Sequence, residues 1–169
     1  TLQDKITNVQ SILEVESGAD EEIVVSKIII NEIAWMGTEA SSNDEWIELY
    51  NPNETSVDLT GWSLSGSANL SFSILETATP IIDALGYFLL ERTDDTTISD
   101  IKADRIYTGA LNDNGDLLEL KDGLGSLIDK LDFSAGWPAG NKGKRISMER
   151  TKSGEWRSNN LLAVNGHNA

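Results

Sequence analysis

The pattern of apolar and polar positions becomes strand-like from Val24 onward. Residues 24–35 are rich in Ile and Val, side chains that suit a pleated, half-buried surface. Residues 45–50 alternate acidic with aromatic and aliphatic side chains and run into an Asn51-Pro52-Asn53 turn. Further strands are predicted over 57–64, 70–75, 86–92, 116–121, 126–133 and 144–150. Asn112 to Gly115 reads as a hairpin turn leading into the strand at 116, and Asp122 to Gly125 as a second turn. Eight or nine short antiparallel strands, punctuated at intervals of roughly ten residues, predict an all-β sandwich or barrel. Strands and helices do not alternate, which argues against a parallel α/β fold.

The first 25 residues follow a different pattern. Asp4, Glu14, Glu16, Asp20, Glu21 and Glu22 stand against Lys5 alone. Ile6, Val9 and Leu13 fall at helical spacing, and Ser17-Gly18 would end such a helix. Residues 1–25 are therefore read as an acidic linker or short helix, and 26–169 as the domain. A start at Thr1 rather than Met reads as a processed form from which any signal peptide is already gone.

Composition sharpens this picture in three ways. The chain has 169 residues, enough for one domain with a real core. It has no Cys, which excludes disulfides, thiolate nucleophiles and cysteine zinc sites. Its net charge is −15, which repels a phosphate backbone unless basic residues are segregated. They are partly segregated: Lys142, Lys144, Arg145, Arg150, Lys152 and Arg157 lie within 138–160 with only Glu149 and Glu155. A basic edge strand that discourages aggregation is the favoured reading of that segment, ahead of an anion-binding patch. No apolar run approaches the roughly 20 residues of a membrane helix.

Three ordered segments are more specific than any pattern: residues 28–38 (IIINEIAWMGT), 44–51 (DEWIELYN) and 58–64 (DLTGWSL). With Gly86-Tyr87-Phe88-Leu89-Leu90, the Leu111 to Asp116 turn, Ile146-Ser147-Met148-Glu149-Arg150 and Trp156, they closely resemble the lamin-tail domain in its bacterial form. The likeness covers roughly 27–168. The close at Asn165-Gly166-His167-Asn168 only approximates the family's ending. The resemblance implies an immunoglobulin-like β-sandwich and a non-enzymatic module. Bacterial members of the family occur in exported and surface-associated proteins. Eukaryotic members sit in nuclear filaments and bind proteins and DNA.

Candidate chemistry is sparse. A Ser-His-Asp triad needs a positioned imidazole, and the one histidine, His167, stands two residues from the end of the sequence. Glu32, Glu45 and Glu48 fall on neighbouring strands, but a structural role is favoured over hydrolysis. Glu32 is expected on the face of Ile28 and Ile30, and Glu48 on that of Trp46 and Tyr50. A carboxylate buried there needs a partner. Arg150, or else Arg145, is the expected one, pinning the last strand through Glu32 or Glu48. Calcium is the metal that acidic loops would take, and Asp94, Asp95 and Asp100, or Asp113 and Asp116, are its candidate ligands. The second group lacks the spacing and terminal Glu of an EF-hand loop, and Asn114-Gly115 reads first as a turn. No cofactor is otherwise expected. Among five Trp residues, Trp46 and Trp62 read as core, whereas Trp35, Trp137 and Trp156 lie near turns. These three are expected to cap the sandwich, or else, with Lys144 and Arg145, to form a docking surface.

The expected function is a non-catalytic interaction or tethering module of an exported or cell-surface protein, monomeric or weakly oligomeric. Its partner would be a protein or an envelope polymer. The alternatives are a nucleic-acid-associated module using 138–160, a carbohydrate-binding module and a calcium-dependent adhesion module.

Overall fold

A computed structural model describes residues 27–67, 69–74, 80–98 and 100–159. The predicted N-terminal helix or linker and His167 lie outside them. The described residues form twelve strands: β1 (Ile29–Ala34), β2 (Trp46–Tyr50), β3 (Val57–Asp58), β4 (Ser63–Ser65), β5 (Ser71–Ser73), β6 (Ile81–Ile82), β7 (Tyr87–Arg92), β8 (Arg105–Tyr107), β9 (Leu117–Lys121), β10 (Leu127–Asp132), β11 (Met148–Arg150) and β12 (Trp156–Ser158).

Two sheets make the immunoglobulin-like sandwich: a six-stranded one in the order β12-β11-β1-β2-β7-β8, and a four-stranded one in the order β10-β9-β4-β5. β3 and β6 form a separate ribbon. The inner faces meet through Ile33, Ile47, Leu90 and Met148 on one side and Leu64, Leu118, Leu120 and Leu131 on the other, all buried. Burying side chains of this size stabilises by roughly 1.5–3 kcal/mol each, which makes this alternating set the main source of fold stability.

Several predicted elements take a different form. The strand expected over 57–64 is broken into β3 and β4. Asp58 caps the Thr60 N–H at 2.8 Å, Trp62 N–H reaches back to Leu59 at 3.0 Å, and Gly61 turns the chain at φ 77°. The strand expected over 144–150 shrinks to β11, because a 3-10 turn occupies Lys142–Lys144 and Arg145 adopts φ 54°. The 112–115 turn is not a hairpin: it carries the chain from β8 in one sheet to β9 in the other. β6, β8 and β12 were not anticipated, and β7–β8 is a parallel pair.

One irregularity decides which side chains leave the core. A bulge between Ile30 and Glu32 breaks the two-residue alternation of β1. Ile30 therefore faces the core opposite Leu49, while Glu32 faces outward opposite Glu48. The expectation that Glu32 shares a face with Ile30 fails for this reason. Glu149 stands opposite Glu32 on its other side, so three carboxylates form one outer row across β11, β1 and β2.

Candidate functional site

The loop end of the sandwich gathers residues from three distant segments. Trp35 directly follows β1 and is buried, 7% exposed. Trp137 lies parallel to it, with centroids 5.7 Å apart and planes 6° apart, and donates from Nε1 to the Asn112 carbonyl at 2.9 Å. Phe133 then links Trp137, at 5.7 Å, to Trp156, which it meets edge-on at 5.5 Å. The three predicted tryptophans thus fall in one aromatic run. Trp35 belongs to the core, whereas Trp137 and Trp156 are half-buried against it.

Two glycines set this geometry. Gly115 has φ 114°, and a Cβ there would lie 2.0 Å from the Phe133 carbonyl oxygen, so only glycine lets the 112–115 turn close onto the Trp137 segment. Gly140 has φ 85°, and a Cβ there would meet the Ile146 carbonyl oxygen at 2.9 Å and Trp35 Nε1 at 3.1 Å. Its backbone therefore lies directly over the indole edge. Beyond it, the Asn141 side chain accepts from Lys144 N–H at 3.0 Å and sets the 3-10 turn.

Together these segments enclose an open concavity of about 570 Å³, lined by Trp35, Asp113, Asn114, Trp137, Asn141 and Lys142 among others. Lys142 crosses its rim to Asp113 at 2.5 Å. Lys144 is exposed beside it. Arg145 does not join this surface: its guanidinium donates to the Met36 carbonyl and ties the turn to the end of β1. The surface offers a half-buried indole, amide groups and mobile-stemmed lysines.

The basic segment is largely neutralised. Lys142 is paired with Asp113, Arg150 with Asp129 and Arg157 with Glu149. Arg145 is taken by Met36. Lys144 and Lys152 alone of the six have no side-chain partner among the described residues, which weakens the anion-binding reading.

The expected pairing of Arg150 with Glu32 or Glu48 is incorrect. Because Glu149 occupies the position opposite Glu32, Arg150 points to the other face of β11. There it donates to Asp129 of β10 at 2.9 Å. The same Asp129 oxygen accepts Ile30 N–H at 2.9 Å, so this contact ties the two sheets together beside the bulge of β1. Glu32 instead accepts from Ser147 Oγ at 2.6 Å and Asn159 Nδ2 at 2.8 Å. Glu48 accepts from Asn31 Nδ2 at 2.7 Å. Burial pushes both carboxyls up to about 7 against these hydrogen bonds, and Glu149 pushes the same way. Burial likewise raises Glu45 to about 7, although Leu111 N–H and Arg92, at 2.9 and 3.0 Å, hold its charge.

The calcium candidates do not converge. Asp94 caps Thr96, and Asp95 accepts Ala103 N–H at 2.7 Å. Asp100 is exposed. Asp113 holds Lys142, and Asp116 is fully buried among backbone and hydroxyl donors. Among the described residues, no three acidic or histidine side chains are grouped to hold a metal ion. Sequence reasoning missed Asp129 and the Asp113–Lys142 link, since both depend on long-range register. Asp116 alone left a signal, an acidic residue straight after an Asn-Gly turn.

The family model described as Lamin Tail Domain matches residues 23–135. The chain belongs to the lamin tail domain family. No curated protein matches it significantly. This is an immunoglobulin-like family of structural, interaction-type modules that are not typically catalytic. In this lamin tail domain the sheet continues past the matched region: β11 pairs with β1, and β12 with β11. The concavity itself is built from both parts, with Asp113 inside the match and Trp137 and Lys142 beyond it. Among the described residues no helix is long and apolar enough to cross a membrane.

Proposed function

We propose that this lamin tail domain is a non-catalytic docking module of an exported or cell-surface bacterial protein. It attaches its parent to a protein or polymer of the cell envelope through the loop end bearing Trp137 and Lys144. The observation that carries this reading is the convergence of three chain segments on one open concavity with a half-buried indole, whose lining is next in the chain to the exposed Lys144, which has no side-chain partner among the described residues. Half-buried aromatics set among polar groups are favoured anchors in interfaces. The net charge of −15 keeps the rest of the surface from sticking nonspecifically.

Cosedimentation with purified cell-envelope fragments tests the reading. Trp137→Ala and Lys144→Glu are each expected to weaken saturable binding by about tenfold. Leu124→Ser, at the exposed β9–β10 turn, is expected to leave it unchanged. Equal binding by all three variants would defeat the proposal.

A further inference from the structure

The outer face of the six-stranded sheet carries a second hollow, which shares no lining residue with the loop-end concavity. Its volume is about 60 Å³. Leu89 is its floor. Trp46, Tyr87, Ile98 and Ile101 are its apolar walls, and Glu48 and Asp104 line it as well. Glu48 stands opposite Leu89 on one side, and Asp104 accepts Leu89 N–H at 2.7 Å on the other. The two carboxylates thus bracket the floor from positions about two strand spacings apart, roughly 10 Å. The segment bearing Ile98 and Ile101 is fixed over the sheet by Glu91, which is fully buried and accepts Thr97 and Ile98 N–H at 3.3 and 3.0 Å.

We propose that this hollow binds a primary ammonium on an aliphatic stem, the end of a lysine side chain presented by a basic partner protein. Charge sets the sign. Glu48 is 7% exposed, accepts one hydrogen bond, from Asn31, and pairs with no cation among the described residues. The groups that face it are Glu32 of β1, Tyr87 of β7, Asp104 and, one strand further, Glu149 with Arg157 bonded to it. An anion would be repelled by this set, and a neutral apolar group would bury Glu48 deeper without a partner. Trp46 and Tyr87 in the lining favour a cation over an anion and give its stem an apolar contact. Size narrows the choice. About 60 Å³ is far below the several hundred cubic ångströms of a pocket for a drug-sized ligand, so the hollow suits the end of one side chain.

The test is an NMR titration of the full chain with Nα-acetyl-lysine methylamide. The controls are the norleucine analogue, tetramethylammonium chloride and sodium chloride at matched ionic strength. Saturable shifts are expected at the Trp46 indole N–H and Leu89 amide with the lysine probe alone. Glu48→Gln, which keeps an acceptor for Asn31, should weaken binding about tenfold, and so should Ile101→Trp, which fills the mouth. Protonated Glu48 offers no charge, so affinity should be about tenfold higher near pH 8 than near pH 5.5. Equal response to the norleucine analogue or tetramethylammonium would overturn the proposal. So would unchanged affinity in both variants, or no response up to about 100 mM. If Glu48→Gln loses the native spectrum, Ile101→Trp decides.

Discussion

Asp116 is held by four donors: Ser67 N–H at 2.6 Å, Ser67 Oγ at 2.5 Å, Leu117 N–H at 2.8 Å and Asn112 N–H at 3.1 Å. It joins the β4–β5 connection to the crossing between sheets. Asp116→Ala removes all four acceptor contacts at a fully buried position and should cost about 2–4 kcal/mol in chemical denaturation. Arg150 and Asp129 form the other decisive pair, with side chains 23% and 13% exposed. A double-mutant cycle of Arg150→Ala with Asp129→Ala should return a coupling of roughly 1–3 kcal/mol, because each single change leaves a largely buried charge and, for Asp129, an uncapped Ile30 N–H. A coupling near zero would mean that the contact between the sheets contributes no stability. That Glu32 and Glu48 need partners was legible in the sequence, since apolar neighbours implied burial. Which partners they take was not. A one-residue bulge between β1 and β2 and the Glu32–Glu149 register decide it, and the second joins strands more than a hundred positions apart.

At the scale of elements, the outer row of Glu149, Glu32 and Glu48 makes the six-stranded sheet sensitive to protonation. Burial raises Glu32 and Glu48 from 4.5 to about 7, so the folded state binds more protons than the unfolded one between those values. Their contribution is fully present below about pH 4.5 and is lost as pH rises through about 7. The surface carboxylates Asp58, Glu119, Asp122 and Asp132, held low by their hydrogen bonds, act in the opposite sense, and their contribution is lost only at more acid pH. The melting temperature should therefore be higher near pH 5.5 than near pH 8, by on the order of 5 °C. Glu32→Gln, which keeps an oxygen for Ser147 and Asn159, should raise it near pH 8 and shrink the difference. A melting temperature that falls on acidification, in both proteins alike, would contradict this reading of the row. The longer strands β1, β2, β7, β9 and β10 were legible because five or six consecutive residues rich in apolar side chains carry their own signal. The two- and three-residue strands β6, β8 and β12 were not, because pairing with neighbours creates them.

Considered whole, the domain outruns the part that matches its family. β11 and β12 complete the edge of the six-stranded sheet, and Met148 of β11 is fully buried opposite Ile33. A chain ended after Ala135 should lose that edge and the covering of Trp35, and should unfold at least 2–4 kcal/mol more easily. The family and the sandwich were readable from ordered motifs alone. The concavity was not, because Trp35, Asp113 and Trp137 come together only once both sheets have closed. The docking claim is tested most directly by photo-crosslinking to envelope fragments from a benzophenone side chain placed in turn at Trp137, Lys144 and Leu124. Strong crosslinks from the first two positions, and none from the third, are the predicted result. Crosslinks from Leu124 with equal yield, or none from Trp137 and Lys144, would contradict it.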